Sequence, residues 1–257
     1  MVFKLLKYDF KSMLRVFVPL WLALLAVSLI NHFTLYFPDG SPYSVDGMKV
    51  IPLLVFFGLM IAAGVLTAVL VIQRFYMGLL KDEGYLMFTL PVKPWQLLTS
   101  KVISAMVVCV LSLGVGVLSV LILGYQVEDY QRLFSNLGIS IREYPGTAAA
   151  LLAVAVTWGF AAITQIYVSL ALGHLANRHR IAWAVGVYIA IQTVLSWLFT
   201  TFVNQVQNRL LNSYSILNPQ MENLNKAMWI MAGGYLVLGV IFFLATERIL
   251  SKKLNLE

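Results

Sequence analysis

Polar residues are bunched along the chain, and between the bunches lie six apolar runs at about 16–36, 50–72, 102–125, 147–172, 181–203 and 227–246. A membrane helix needs about 20 mostly apolar residues to cross a hydrocarbon core of about 30 Å, so each run predicts one spanning helix. None of the six contains Asp, Glu, Lys or Arg. That matters because one such side chain at mid-bilayer costs about 2.5–3.5 kcal/mol. The pattern predicts an all-α polytopic membrane protein with six transmembrane helices, in one membrane domain covering 1–257.

Composition agrees: 60% of residues are hydrophobic, 11% are charged, and the mean hydropathy is +0.84. A soluble domain carries about 25% charged residues. The net charge of +7 would suit a nucleic-acid binder, but the basic residues lie in the loops between apolar runs, as membrane anchors do, so no nucleic-acid partner is expected. Counting them orients the chain, because cytoplasmic loops carry the excess of Lys and Arg. One set of alternating loops holds thirteen of the eighteen: four before the first run, four in 73–101, two in 176–180 and three after Thr246. Both termini are therefore expected in the cytoplasm. The single cysteine, Cys109, lies inside an apolar run, so neither an intramolecular disulfide nor a cysteine metal cluster can form. The basic start followed by an apolar stretch resembles a secretory signal, but no small-residue cleavage site follows, and the first run is expected to remain as a span.

In the first fifteen residues, Phe3, Leu6, Phe10, Met13 and Leu14 share one helical face, with Lys4, Lys7, Lys11 and Arg15 beside it. This is the pattern of an interfacial helix, with its apolar face in the acyl boundary and its basic edge toward anionic lipid. Inside the spans, Thr67, Ser112, Thr164, Gln165, Gln192, Thr193 and Ser196 are expected to hydrogen-bond across helices for about 0.6–2 kcal/mol each, with a polar translocation path as the alternative. Gly114, Gly116, Gly233 and Gly234 would permit close approach of neighbouring backbones.

The chain lacks the usual sources of energy and catalysis. No phosphate-cradling G-x-x-x-x-G-K-[ST] loop occurs, and no H-E-x-x-H or G-x-S-x-G. The spans hold no ionisable relay of the kind a proton-driven carrier uses, although sodium coupling through backbone carbonyls stays open. His174 and His179 lie beside Arg178 and Arg180, an electropositive setting that disfavours a metal ion, so no metal site is expected.

The longest loop on the basic side, 73–101, reads QRFYMGLLKDEGYLMFTLPVKPWQLLTSK and is too apolar for a free linker. Residues 73–82 can extend the second helix, Glu83 and Gly84 interrupt it, and Pro91 and Pro94 break any helix between them. From Pro94, in a favoured first-turn position, a short helix with Trp95, Leu97 and Leu98 leads into the third span.

The stretch KDEGYLMFTLPVKPWQLLTSK, set between the second and third of six spans, resembles the permeases of ABC-2 type transporters, particularly those of Gram-positive bacteria. KLLKYDFKSMLR is similar to the interfacial elbow helix of that family, and ERILSKKLNLE to its C-termini. The resemblance implies a permease subunit of an ATP-driven exporter in the bacterial cytoplasmic membrane. The chain would work with a second permease, identical or homologous, and a separate ATP-binding subunit that holds ATP and Mg, leaving no cofactor in this chain. It further implies a coupling helix between spans 2 and 3, with Glu83, Gly84, Tyr85, Leu86, Phe88, Pro91, Pro94 and Trp95 on the ATPase. A second cytoplasmic contact would form at His174, Asn177 and Arg178 in GHLANRHR, and re-entrant structure would precede the last span. The apolar spans admit a hydrophobic, amphipathic or peptide-like cargo in a setting of membrane lipids. Two other classes stay open. A noncatalytic membrane scaffold or chaperone would use the same loop for another partner; a membrane enzyme would need more interfacial carboxylates than Asp82 and Glu83.

Overall fold

The computed structural model describes residues 2–36, 47–80, 93–124, 132, 135–136, 138–139, 142–176, 178–212 and 219–252. Six long helices occupy them: α1 (Val2–Tyr36), α2 (Gly47–Phe75), α3 (Pro94–Gly124), α4 (Pro145–His174), α5 (Arg180–Asn212) and α6 (Pro219–Lys252). A π-helical turn, Tyr76–Leu80, prolongs α2. No strand occurs among the described residues. Each long helix is long and apolar enough to cross a membrane, which is the architecture of a multi-pass membrane protein. Three of them, α3, α4 and α6, open on proline, whose missing N–H is harmless in a first turn and whose fixed φ suits the helix.

The chain forms two compact units. The first comprises Met1–Arg74 and Thr99–Ile139 and so holds α1, most of α2 and most of α3. Met13, Phe17, Leu24, Ser28 and Asn31 lie on one side of α1 and are buried together. Polar side chains cross between its helices. The indole of Trp21 donates to Ser112 Oγ at 3.2 Å, and Thr67 Oγ1 meets the same Ser112 at 3.4 Å. Ser28 donates to the Ser119 carbonyl, and Asn31 Nδ2 to the Pro52 carbonyl at 2.9 Å.

The N-terminal residues depart from expectation. Instead of a separate elbow helix at 1–15 followed by a span, Val2–Tyr36 is one helix that continues through Arg15 and through Pro19. Burial explains the continuity, because Met13 and Phe17 extend one packing face across the expected junction.

The second unit comprises Phe75–Leu98 and Ser140–Glu257. Here α4 packs against both α5 and α6, and also against the π-helical turn. Its core joins Val168 and Ala171 of α4 to Ile249 of α6, with Ile191, Phe242 and Ala245 around them. Close approach occurs at glycines the sequence did not mark. A Cβ on Gly173 would fall 2.5 Å from the backbone nitrogen of Ala184, and one on Gly239 would strike the ring of Phe160. Gly114, Gly233 and Gly234 have no neighbour within 4 Å of a built Cβ, and Gly116 has only Met60 Cε at 3.8 Å. The described parts of 204–226 belong to the ends of α5 and α6, not to a separate re-entrant element.

Candidate functional site

The residues flanking 81–92 belong to the second unit, although the spans they join belong largely to the first. On the N-terminal flank the helix loosens from α to π geometry at Tyr76–Leu80, a local widening that often marks functional positions. The turn is well anchored: Gly78, Leu79 and Leu80 are buried. Just before it, Phe75 stacks on Tyr167 of α4 with centroids 4.0 Å apart and planes 10° from parallel. Both rings are buried, so the contact excludes lipid and water alike. Tyr76 then meets His174 edge-on at 6.2 Å.

On the C-terminal flank, Pro94 starts α3, and the Lys93 carbonyl accepts from the Gln96 N–H at 2.9 Å. Leu97 and Leu98 turn inward and are buried, while Trp95 is 45% exposed. Of the residues expected to contact an ATPase, Pro94 and Trp95 are therefore placed at the head of α3, with the Trp95 indole accessible. Glu83, Gly84, Tyr85, Leu86, Phe88 and Pro91 lie outside the described residues.

The α4–α5 turn sits on the same unit. Leu175 and Ala176 close α4 by donating their N–H groups to the carbonyls of Leu172 and Gly173, both at 3.2 Å. His179 has φ 54°, the left-handed region that a side chain seldom adopts, and from it the chain enters α5. Gly173 is required here because Ala184 at the start of α5 leaves no room for a Cβ. The Arg180 guanidinium lies 3.5 Å from His174 Nε2, whereas His174 Nδ1 is buried with no hydrogen-bond partner. Arg178 is exposed, and Asn177 lies outside the described residues. His174 thus lies between the π-helical turn and the start of α5, edge-on to Tyr76 and 3.5 Å from the Arg180 guanidinium.

Among the polar span residues, Thr67, Ser112, Gln165 and Gln192 do bond across helices, the last two at 3.1 Å. Thr164 and Thr193 instead return their hydroxyls to the carbonyls four residues earlier, Phe160 and Ile189, and Ser196 is exposed. Sequence reasoning missed an ion pair. Lys101 Nζ lies 2.6 Å from Asp9 Oδ1, with the two side chains only 6% and 12% exposed. Arg74 at the end of α2 donates to Ser12, one turn further along α1. Asp9 was the available clue, as an acidic residue within a basic segment. Among the described residues no three His, Cys, Asp or Glu side chains are grouped as metal ligands would be.

Compared with protein-family models, with curated proteins and with solved structures, the chain matches none.

Proposed function

We propose that the chain is the membrane-spanning permease subunit of an ATP-driven exporter. In this reading both termini are cytoplasmic, and a separate ATP-binding subunit docks on Glu83 to Trp95 with a second contact at His174, Asn177 and Arg178. The observation that carries the reading is the anchoring of 73–101. Its described flanks, Tyr76–Leu80 and Pro94–Leu98, place buried leucines in the second unit and leave Trp95 accessible. A segment that transmits motion must be held stiffly at both ends and present anchors to its partner. The buried leucines and the Phe75–Tyr167 stack supply the first requirement, and Trp95 with Tyr85, Leu86 and Phe88 would supply the second. Closure of the ATPase would pull on this segment, which is covalently continuous with α2 and α3 and packed through the π-helical turn on α4. Alternating access would follow from that movement, with nucleotide chemistry confined to the partner and the cargo a hydrophobic, amphipathic or peptide-like molecule.

The test is substitution at the anchors. Truncating a buried aromatic anchor costs about 2 kcal/mol or more at an interface, enough to weaken assembly more than tenfold. Tyr85→Ala, Trp95→Ala and Glu83→Ala are expected to leave the chain inserted and monodisperse in detergent while lowering ATPase recovery. Wild-type recovery in all three variants would make the segment a membrane anchor and end the coupling assignment.

A further inference from the structure

Three polar side chains inside the first unit are completely buried: Ser28 and Asn31 of α1 and Ser119 of α3, each at 0% exposure. They share one end of the unit with Pro52 of α2, because Asn31, Pro52 and Ser119 each lie five residues from the adjacent helix end, at Tyr36, Gly47 and Gly124. At about 1.5 Å per residue, that is about 7.5 Å inside the helices. The hydroxyl hydrogens of the cluster are committed. Ser28 donates to the Ser119 carbonyl, and Ser119 Oγ turns back to the Gly116 carbonyl at 2.7 Å. Asn31 Nδ2 donates to the Pro52 carbonyl at 2.9 Å, and since a carbonyl can only accept, this contact fixes which end of the amide is the NH2. The other end, Asn31 Oδ1, is buried with no hydrogen-bond partner among the described residues. Pro52 adds a second acceptor in need of a partner: within α2 it lacks the N–H that would close the turn on the Met48 carbonyl.

What the cluster offers a ligand is therefore lone pairs. A water molecule would donate to two of these oxygens and find little to accept from, whereas a cation needs only lone pairs. The field has the matching sign, since α1 and α3 both end here on carbonyls, the partially negative ends of their dipoles. Uncharged oxygens near helix C-terminal ends are how intramembrane sites hold sodium. A divalent ion fits less well, because it draws on carboxylates and the apolar runs of these three helices contain none. We propose that Asn31 Oδ1, Ser28 Oγ and the Met48 carbonyl hold one alkali-metal cation between α1 and α2. All three ligands belong to the first unit, and the inference does not rest on the exporter reading.

The experiment is thermal unfolding of the full chain in an uncharged detergent, with choline chloride replaced stepwise by NaCl or by KCl at constant ionic strength. A saturating rise in Tm is expected with at least one of the two ions, reaching about 3 °C or more once the ion exceeds its half-saturating concentration about tenfold. Asn31→Leu, which removes the orphan oxygen, should abolish the rise. Asn31→Asp keeps an oxygen toward the ion and adds a charge, so it should lower the half-saturating concentration about tenfold or more. An amide with a merely structural role would show no such gain. Equal Tm values in choline, sodium and potassium would mean that water or a donor of the chain itself serves the amide oxygen, and would overturn the proposal. So would a rise that persists unchanged in Asn31→Leu, or an Asn31→Asp chain whose half-saturating concentration is not lowered.

Discussion

The two units hold their helices together by different means. In the first, polar side chains reach from helix to helix: Trp21 and Thr67 to Ser112, Ser28 to the Ser119 carbonyl, Asn31 to the Pro52 carbonyl, Arg74 to Ser12, and Lys101 to Asp9. In the second, backbones and rings approach closely, with Gly173 against Ala184, Gly239 against Phe160 and Phe75 on Tyr167. Polar contacts occur there too, with Gln165 bonded to Gln192 and the Arg180 guanidinium 3.5 Å from His174. Both solutions follow from the same solvent. Lipid tails are as apolar as leucine, so burying leucine provides no drive toward association, and helices must find either hydrogen bonds or close packing. The hydrogen-bonded unit carries the basic N-terminal segment, while the closely packed unit carries both flanks of 81–92 and the α4–α5 turn.

The largest expected effect comes from the buried ion pair. Lys101→Met removes one partner and leaves the Asp9 carboxylate in a site where it is 12% exposed. Stranding a buried charge typically costs about 3–5 kcal/mol, whereas replacing both partners by apolar groups is often nearly neutral. Unfolding of the detergent-solubilised chain should therefore occur much earlier in Lys101→Met and return close to wild type in Asp9→Leu/Lys101→Met. A double variant no better than the single one would show that the pair does more than neutralise itself.

Next in size is Gly173→Ala, which should lower unfolding stability by about 1–3 kcal/mol, as overpacking does, because the obstacle is the Ala184 backbone and not a movable side chain. The matched change in the first unit, Gly116→Ala, meets only Met60 Cε at 3.8 Å and should be neutral or slightly stabilising through helix propensity. Equal losses at the two positions would erase the distinction between the units. The smallest expected loss is that of Ser112→Ala, which deprives Trp21 and Thr67 of a common partner. About 0.6–2 kcal/mol is expected in the same unfolding measurement.

The six helices were legible in the sequence because uncharged runs of that length have few other stable states than a membrane span. Their ends were not: α5 reaches Asn212 and α1 begins at Val2, since polar residues beyond the hydrocarbon can continue a helix without penalty. The continuity of the N-terminal segment with the first span was not legible either. An apolar stripe edged with lysines describes a helix lying on a membrane as well as one packed on neighbours, and the pairing of Asp9 with Lys101 joins residues ninety-two positions apart. Glycines misled in the same way, because the residue type says that approach is possible and the facing helix decides whether it happens. At the candidate site, the apolar character of 73–101 and the breaks at Pro91 and Pro94 could be read directly. The Phe75–Tyr167 stack and the contact of Tyr76 with His174 could not, since both join residues more than ninety positions apart.

The central functional claim is that the chain moves with an ATPase it does not itself contain, and ATP hydrolysis tests it most directly. The tagged chain would be extracted from its native membrane in mild detergent and assayed as isolated, then again after its partners are stripped by harsher washing. The account predicts ATP hydrolysis that elutes with the gently extracted chain and disappears from the stripped chain. Hydrolysis by the stripped chain alone, or its absence from the native extract, would contradict the permease assignment.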